Sequence, residues 1–342
     1  MMQRRLPAEW EPQDAVLLGW PHVGTDWADM LNLVLPVFIR IAVEISRFET
    51  LIIPAPDPDS VRSRLAEAGA RMDRVCVYGV PTNDTWARDF GPITVYQNGA
   101  PLMLDYGFNG WGLKFRACDD NQITARLQAN GAFGDCLREV PGLILEGGSL
   151  ESDGAGTLLT TSACLLEANR NPHLGRTELE QRLRQQLGAE SVLWLEHGYL
   201  AGDDTDSHVD TLARLAPDNC IIYQSCDDPA DEHYTELTAM AEELASLRTR
   251  EGHPFKLLPL PWPVACHAED GHRLPATYAN FLILNGAVLV PAYDSSRDES
   301  ALAVIRCAFP DREIIAVPCR PLIEQHGSLH CITMQIPKGV LE

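Results

Sequence analysis

The sequence has few basic residues and no pair of cysteines spaced as in a metal or redox motif. Its 342 residues include 27 lysines and arginines against 48 aspartates and glutamates, for a formal net charge of −21. Nucleic acids and anionic membrane surfaces bind basic patches, so this balance argues against both as partners. The ten cysteines are scattered without a Cys-x-x-Cys pair. A zinc ribbon, a redox pair and a disulfide scaffold are therefore not indicated.

Long apolar runs are also missing. The most apolar long segment, residues 31–45, is interrupted by Pro36 and Glu44, so no membrane span is expected. Near the N-terminus, Glu9 and Asp14 interrupt what would be the apolar core of a signal peptide. These features predict a cytoplasmic protein whose thiols stay reduced.

Apolar periodicity predicts a mixed α/β protein, and no linker or low-complexity stretch divides residues 1–342 into separate domains. Helices are predicted at residues 32–47, 57–69, 119–130, 177–187, 235–247 and 299–307. Strands are predicted at residues 15–20, 50–54, 74–80, 93–97, 143–146, 157–161, 191–196, 220–224, 255–260, 281–285, 287–291, 313–317 and 331–336. The strands come in pairs or triplets between single helices, whereas a doubly wound fold would alternate strictly. Asn285-Gly286 and Asp153-Gly154 each predict a hairpin.

Two polar segments depart from this apolar background in the first half of the chain. In TNDTWARDFGP, residues 82–92, the asparagine and the Gly-Pro pair fit a turn, but a turn does not explain Trp86 and Asp89. In LEGGSLESDG, residues 145–154, Glu146 ends an apolar run and two glycines follow. This second segment fits either a glycine-rich hairpin or a carboxylate at a strand end that another group approaches closely.

A third polar segment, GDDTDSHVD, covers residues 202–210. If it is extended, Asp204, Asp206, His208 and Asp210 share one face, because side chains alternate along a strand. Neighbouring carboxylates would then raise the pKa of His208 toward or above neutral, which suits a general acid and base.

A metal site is the alternative interpretation of the same segment. A calcium loop of the EF-hand type that starts at Asp204 would need glycine and glutamate where this chain has Val209 and Leu215. That interpretation therefore fails. A metal-dependent hydrolase remains open, with the candidate ligands Asp203, Asp204, Asp206 and His208.

Cys331 lies in the apolar segment HGSLHCITM. A cysteine, a histidine and several carboxylates fit chemistry on a guanidinium, because carboxylates accept paired N–H bonds from this planar cation. A thiolate is the side chain best able to attack its poorly electrophilic carbon, and a bound cation with a nearby imidazolium would favour the thiolate. If this segment is a strand, His330 points away from Cys331, which leaves His208 as the working histidine.

The ordered segments TNDTWARDFGP, LEGGSLESDGAG, GDDTDSHVD and GSLHC resemble agmatine deiminases and bacterial-type peptidylarginine deiminases of the guanidine-modifying (pentein) superfamily. The opening LPAEWEPQDAVLLGWPH, FNGWG at 108–112, NRNPH at 169–173 and RLPATYANFLILNG at 273–286 extend the resemblance over nearly the whole chain. The resemblance implies a five-bladed α/β propeller of pseudo-repeated ββαβ units around a central pocket.

The same resemblance implies roles for individual residues. Cys331 matches the nucleophile, His208 the general acid and base, and Asp89 and Asp210 the carboxylates that bind the guanidinium. Glu146 matches a further acidic position of the active site. Three other positions match the surroundings of the substrate: Trp86 as an aromatic wall, Asn280 near the site and Asp204 at the rim.

The implied reaction hydrolyses agmatine to N-carbamoylputrescine and ammonia through a covalent cysteine intermediate, a step of polyamine (putrescine) synthesis. Relatives that act on free arginine or peptidyl-arginine differ at the far end of the substrate, so both alternatives stay open. The acidity of the chain and the lack of a signal peptide favour agmatine. The implied partner is a small cationic guanidino substrate, no metal or organic cofactor is implied, and homo-oligomerisation stays open.

Overall fold

The computed structural model describes residues 3–342 as a mixed α/β fold, as predicted. Its strands are β1 (Arg4–Arg5), β2 (Gln13–Leu18), β3 (Thr50–Ala55), β4 (Val75–Gly79), β5 (Ile93–Gln97), β6 (Ala100–Leu104), β7 (Leu137–Glu139), β8 (Glu151–Ser152), β9 (Thr157–Thr161), β10 (Ser191–Leu195), β11 (Ala213–Ala216), β12 (Cys220–Gln224), β13 (Lys256–Leu260), β14 (Leu282–Ile283), β15 (Ala287–Ala292), β16 (Glu313–Pro318) and β17 (Thr333–Pro337). Its helices are α1 (Leu31–Phe48), α2 (Pro58–Glu67), α3 (Ala87–Phe90), α4 (Gly110–Leu113), α5 (Ile123–Ala129), α6 (Ser162–Leu165), α7 (Arg176–Leu187), α8 (Tyr234–Ser246) and α9 (Asp298–Ala308).

The strands form five sheets that repeat one type of connection. Their strand orders are β1-β5-β6-β7, β10-β9-β8, β11-β12-β13, β14-β15-β16 and β17-β2-β3-β4. Each sheet contains an antiparallel pair and a parallel neighbour reached through a helix, for example β14 and β15, then α9, then β16. This combination of an antiparallel pair and a parallel neighbour follows from the length of the connections, because a hairpin can join antiparallel strands whereas parallel strands need a longer crossover.

One sheet joins the two ends of the described chain. β17 runs antiparallel to β2, with Met334 opposite Leu17, and β2 continues into the parallel pair with β3. The segment that follows Cys331 is therefore fixed against a strand that lies more than 300 positions earlier in the sequence.

Local signals explain most of the confirmed elements. All six predicted helical regions contain a helix. At the start of α2, a side-chain oxygen of Asp57 accepts the backbone N–H of Ser60 at 3.1 Å, and Gly69 follows the helix with φ of +82°. Both predicted hairpins are confirmed, since Asn285-Gly286 connects β14 to β15 and Asp153-Gly154 connects β8 to β9.

The predicted strand at residues 143–146 is wrong. The side chain of Asn171 bonds both backbone groups of Ile144, donating to its oxygen at 2.8 Å and accepting from its N–H at 3.1 Å. Ile144 forms only an isolated bridge to Gly107. The hydrogen-bonding groups of its backbone are therefore paired mainly with a side chain and not with a neighbouring strand.

The extended segment predicted at residues 202–210 is also wrong, and the strand predicted at residues 331–336 forms as β17 but begins only at Thr333. Asp206 and Ser207 have φ of +67° and +64°, and a 3-10 turn follows at Val209–Thr211, so the side chains of residues 204–210 do not alternate on one face. Cys331 precedes β17 and lies in a turn, in which the backbone N–H of Thr333 donates to the oxygen of His330. The argument that His330 points away from Cys331 therefore fails.

Buried apolar side chains form two clusters. The larger includes the inner face of α1, with Phe38, Ile41 and Ile45, and also Cys331. The smaller surrounds β11, β12 and α8 and includes Val209, which adjoins His208. The polar groups described below thus lie between the two clusters. Across residues 3–342, none of the helices has both the length and the apolarity needed to span a bilayer.

Candidate active site

A cavity of about 380 Å³ opens beside Cys331. Its wall includes four of the predicted site residues, namely Trp86, Asp89, Asp204 and Cys331. The other four are fully buried and are connected to these by the contacts described below: Glu146, His208, Asp210 and Asn280. The structure therefore brings together residues spread over almost 250 positions of the sequence.

The thiol of Cys331 is held by Asn280 and lies next to Asp210. Its sulfur is 3.4 Å from the Asn280 side-chain oxygen and 3.9 Å from Oδ2 of Asp210. The side-chain nitrogen of Asn280 donates to the same Asp210 oxygen at 3.2 Å. Burial, together with the charges of Asp210 and Asp89, raises the pKa of the Cys331 thiol well above its usual value. The protein's own groups thus favour the thiol, and a bound cation is needed to favour the thiolate.

Asp210 has one occupied and one free carboxylate oxygen. Oδ2 accepts hydrogen bonds from Nδ1 of His330 at 2.7 Å and from Asn280. Oδ1 is buried and has no hydrogen-bond partner among residues 3–342. Burial alone would raise the pKa of Asp210, but the hydrogen bond and charge of His330 outweigh burial and lower it. An ionised carboxylate therefore presents one free acceptor inside the protein.

Asp89 is also buried, and it lies beside His208 and lines the cavity. Its Oδ2 accepts the indole N–H of Trp111 at 2.9 Å, and its Oδ1 accepts the backbone N–H of Gly148 at 3.1 Å. Burial and the neighbouring charges of Asp210 and Glu146 raise the pKa of Asp89 well above its usual value. A guanidinium between Asp89 and Asp210 would reverse this shift, because a cation favours the carboxylate form.

His208 lies against the two carboxylates Asp89 and Glu146. Its Nδ1 is 3.6 Å from Oδ1 of Asp89, and its Nε2 is 4.0 Å from Oε2 of Glu146. Neither ring nitrogen has a hydrogen-bond partner in the described chain. Burial lowers the pKa of His208 to about 3, with a smaller opposing contribution from Asp210 and a further lowering by Arg170. The expectation of a pKa near or above neutral is wrong, because burial outweighs the carboxylates.

Glu146 is paired with a cation rather than free. Nε of Arg170 donates to both of its carboxylate oxygens at 3.0 and 2.9 Å, and Nη1 of Arg170 reaches Asp206 at 2.8 Å. Burial raises the pKa of Glu146 in spite of the opposing charge of Arg170. Asp206, predicted to share a face with His208, is instead the outer partner of Arg170 and Lys114.

Two glycines are required by close contacts at the site. A Cβ atom on Gly148 would lie 2.5 Å from Nδ1 of His208 and 2.9 Å from Oδ1 of Asp89. A Cβ atom on Gly327 would lie 2.0 Å from the ring of Trp86. The interpretation of the Gly-Gly segment after Glu146 as a place of close approach is thus confirmed.

The mouth of the cavity carries the remaining predicted residues. Trp86 is buried to 6% exposure and stacks at a tilt on Trp27, with ring centroids 5.8 Å apart. Asp204 is partly exposed, and its Oδ2 lies 3.7 Å from Nε2 of His326. Both residues line the cavity.

The acidic segment does not form the metal site that sequence analysis left open. Asp203 accepts from Thr205 and Ser207, Asp206 pairs with Arg170, and Asp204 lies at the rim. Among residues 3–342, Glu146, Cys164 and His208 are the one group of three or more potential ligands whose atoms lie close together. The cationic Arg170 already occupies Glu146, and burial raises the pKa of Cys164 well above its usual value, so this group does not suit a metal ion.

Sequence reasoning gave no role to several residues that contact the site. Trp111 and Arg170 lie in FNGWG and NRNPH, and Glu9 lies in the opening LPAEWEP, segments that served only for the resemblance. Arg214 is a lone charge in the apolar strand β11, which is a signal that could have identified it. His330 was set aside because Cys331 was expected inside a strand.

Residues 5–337 match the model of a family described as Porphyromonas-type peptidyl-arginine deiminase. The chain belongs to this family. An agmatine deiminase of Pseudomonas aeruginosa is 32% identical over 361 aligned residues, which cover 97% of this chain and 95% of that protein.

Solved structures agree with this membership. A Porphyromonas gingivalis structure, provisionally described as an arginine deiminase, is 51% identical with a TM-score of 0.94 and covers 99% of this chain and 100% of its own. An agmatine deiminase of C. jejuni, a cysteine-to-serine variant with substrate bound, is 37% identical with a TM-score of 0.92 and covers 99% of this chain and 98% of its own. This member of the family is accordingly a hydrolase that acts on amidine C–N bonds.

Proposed function

We propose that this protein is an agmatine deiminase, which hydrolyses the guanidinium of agmatine to N-carbamoylputrescine and ammonia through a covalent intermediate on Cys331. One observation carries the proposal: the sulfur of Cys331 lies 3.9 Å from the ionised Asp210, beside a cavity that Asp89 also lines. Two carboxylates around a thiol suit a planar cation whose central carbon must be attacked.

The free acceptors support this substrate class. Oδ1 of Asp210 and both ring nitrogens of His208 are the buried side-chain atoms of the site that lack partners within residues 3–342. Buried polar groups normally have partners, so each of these atoms can accept or donate a bond when a guanidinium and its leaving group bind. Asp89 and Asp210 would each accept N–H bonds from the guanidinium.

In the first step of the proposed reaction, the thiol proton of Cys331 moves to His208 when the guanidinium binds, because the cation favours the thiolate. The sulfur then attacks the guanidinium carbon. The imidazolium of His208 gives its proton to one amino group, the C–N bond breaks, and ammonia leaves. An S-linked amidinium remains on Cys331, and His208 is neutral again.

In the second step, His208 takes a proton from a water molecule, and the resulting hydroxide adds to the same carbon. The C–S bond breaks, the departing thiolate takes the proton from His208, and the proton that the product loses to become the ureido group is taken up by ammonia. Protons balance over the two steps: the guanidinium and water become the urea and ammonium. Glu146, held by Arg170, is the proposed neighbour that keeps the His208 ring in position.

The rim favours agmatine, whose far end is an amine. The cavity wall contains four further aspartates, Asp26, Asp84, Asp120 and Asp204, against two cations, Lys114 and Arg116. Lys114 is itself paired with Asp206 at 2.7 Å, which leaves Arg116 as the cation of the rim without such a close partner. Burial raises the pKa of Asp84 to about 7 and that of Asp120 to about 8, so Asp26 and Asp204 carry the negative charge of the rim near neutral pH, and a bound amine would favour the carboxylate forms of the other two.

Arginine, free or within a peptide, is the second candidate. Arg116 lines the cavity and could pair with the carboxylate of free arginine. The family description and the provisional name of the Porphyromonas gingivalis relative also point to arginine chemistry.

We further propose that the five sheets are the blades of one propeller domain over residues 1–342, with the site at its centre. The repeated antiparallel pair, helix and parallel strand in each sheet support this arrangement. A reducing cytoplasm is the proposed compartment, since each of the ten cysteines is a free thiol in the structure.

A substrate panel tests the function. Agmatine, free arginine and an arginine-containing peptide are incubated with the folded protein, and ureido product and ammonia are measured. We expect agmatine to give the highest kcat/KM. A higher value for arginine or the peptide would replace the substrate assignment, and no turnover of any of the three would refute deiminase activity.

Replacing the nucleophile tests the covalent step. Cys331→Ser should abolish product formation, whereas Cys307→Ser, in the exposed part of α9, should leave it unchanged. Wild-type activity should be lost to iodoacetamide and survive a chelator, and the opposite pattern would favour the metal-dependent alternative. Mass spectrometry of the enzyme quenched during turnover should reveal the amidino adduct on Cys331.

A further inference from the structure

His330 joins the substrate-binding Asp210 to a carboxylate from the beginning of the chain. Its Nδ1 is 2.7 Å from Oδ2 of Asp210, and its Nε2 is 2.8 Å from Oε2 of Glu9. The ring is 1% exposed, so water does not compete for either nitrogen. Two carboxylates can both accept from one imidazole only when each ring nitrogen carries a hydrogen. The geometry therefore favours an imidazolium at His330.

Arg214 completes this group of hydrogen-bonded residues. It is fully buried, and its guanidinium donates to Oε2 of Glu9 at 2.6 Å, to Glu151 at 2.5 Å and to the backbone oxygens of Ala279 and Phe281. Its Nη2 also lies 3.0 Å from Nε2 of His330, but both nitrogens are closer to Oε2 of Glu9, which is their shared acceptor. Three carboxylates, on Glu9, Glu151 and Asp210, would face only the two cations Arg214 and Arg88 if His330 were neutral. Buried charges are costly unless they are paired, so a third cation is favoured at His330.

We propose that His330 is the positioning residue of this site: as an imidazolium fixed by Glu9 and Arg214, it keeps Asp210 ionised and turns its free oxygen toward the substrate guanidinium. The inference rests on the proposed role of Asp210. Strand alternation would place the side chains of His330 and Cys331 on opposite faces. In the structure both side chains contact Oδ2 of Asp210, so the alternation pattern does not indicate this role of His330.

The predicted effect depends on pH, because Asp210 must be ionised to bind a cation. Removing the cation at His330 lets burial raise the pKa of Asp210, so the carboxylate takes up a proton at a higher pH and binding is lost on the acidic side. The other titratable or charged groups that face Asp210 or His330 are Glu9, Arg88, Asp89, Glu151, His208, Arg214 and Cys331. None of these is changed by substitution of His330.

The test measures binding without turnover. In a Cys331→Ser background, calorimetry gives the Kd of methylguanidine, which carries the group common to all candidate substrates, at pH 8 and pH 5.5. Burial and neighbouring charges also raise the pKa of Asp89, which weakens binding at the lower pH in every variant, so each variant is judged by its change in affinity between pH 8 and pH 5.5 relative to the background protein. His330→Gln should lose about tenfold more affinity over this interval than the background, as expected when the pKa of Asp210 in the variant lies about one unit above the lower pH.

A matched control separates this effect from loss of a buried ion pair. His233 is equally buried and has its Nδ1 2.6 Å from Asp231, away from Cys331. His233→Gln should lower the melting temperature and leave the pH dependence of binding as in the background. If His330→Gln fails to fold, Glu9→Gln, which keeps the shape and removes one charge, should give a smaller shift in the same direction.

The outcomes distinguish this inference from the proposed function. Asp210→Asn in the same background should lose binding at both pH values; unchanged binding would remove Asp210 from the proposed site. If Asp210→Asn loses binding while His330→Gln behaves like His233→Gln, the role of His330 is overturned.

Discussion

The side-chain oxygen of Asn280 is shared by the backbone and the sulfur of Cys331. It lies 3.3 Å from the backbone nitrogen and 3.4 Å from Sγ, while the other end of the amide donates to Asp210. One uncharged side chain thus orients both the thiol and the carboxylate of the site. An amide can do this because it is a donor and an acceptor at once.

Asn280→Asp should therefore lower both activity and stability, because it places an unpaired charge at a fully buried position. The new carboxylate would repel Asp210 and would oppose formation of the thiolate at 3.4 Å. We expect kcat/KM to fall about 100-fold or more, a loss of roughly 3 kcal/mol of transition-state stabilisation. Rates of Cys331 alkylation against pH provide the measurement. Asn280→Gln, uncharged but longer, is the control, and equal rates for Asn280→Asp and wild type would contradict the assigned role.

Gly148→Ala should reduce activity by displacing His208. The added methyl would lie 2.5 Å from Nδ1 of His208, a distance that forces the ring to move. Misplacing a catalytic group by about 1 Å can cost on the order of 100-fold in rate. Steady-state kinetics should show a fall in kcat, and Gly79→Ala is the control because a Cβ atom there would lie 3.9 Å from its nearest neighbour, Pro58, and the backbone φ is not positive. Equal kcat for Gly148→Ala and wild type would mean that His208 can shift without cost.

Stability should depend on pH through His208. Its pKa is lowered from 6.5 to about 3 by burial, so the unfolded chain binds a proton more readily than the folded protein between these values. The free energy of unfolding should fall on acidification through this window by roughly 1.4 kcal/mol per pH unit from this group. Urea unfolding at several pH values between 4.5 and 7 should give a smaller slope for His208→Gln. Identical slopes would mean that the histidine titrates normally.

Glu49, which is not one of the site residues, should make stability depend on pH in the opposite direction. Its Oε1 accepts the N–H of Asn285 at 3.2 Å, and its Oε2 is buried without a hydrogen-bond partner within residues 3–342. Burial raises the pKa of Glu49 to about 8, so the folded protein holds a proton that the unfolded chain releases above pH 4.5. Stability from this group is full below pH 4.5 and is lost as pH rises to 8.

Glu49→Gln should remove this loss. Relative to wild type, the variant should gain stability with rising pH by roughly 1.4 kcal/mol per unit between pH 5 and 8, while the two proteins change little relative to each other below pH 4.5. Urea midpoints across this range provide the measurement, and activity at neutral pH should be unchanged. A constant difference between the proteins at all pH values would contradict the raised pKa.

The sequence predicted those parts of the fold whose causes are local. The helix that begins after Asp57 and the hairpin at Asn285-Gly286 depend on neighbouring residues, and both form as expected. The strand expected at 143–146 does not form, because the side chain of Asn171 satisfies the backbone of Ile144. Asn171 lies 27 positions after Ile144, so the pattern of apolar residues in a short stretch of sequence cannot reveal this contact.

The site shows the same difference between features with local causes and features that depend on distant residues. The motifs identified the residue types, and the structure brings Cys331, His208, Asp89 and Asp210 together. The pKa of His208 was predicted in the wrong direction because its burial depends on the packing of the whole chain. His330 was missed because its partner Glu9 lies 321 positions away in the sequence.

The pairing of β17 with β2 also determines when this site can come into existence during protein synthesis. Cys331 and His330 leave the ribosome after more than 300 earlier residues, and the strand and the carboxylate that receive them belong to the first 20. Nascent chains generally fold from their N-terminal side as they emerge. Until β17 arrives, β2 keeps an open edge and Glu9 and Arg214 lack His330. Chemistry on amidines is therefore a property that the chain gains only after β17 has been synthesised and has paired with β2.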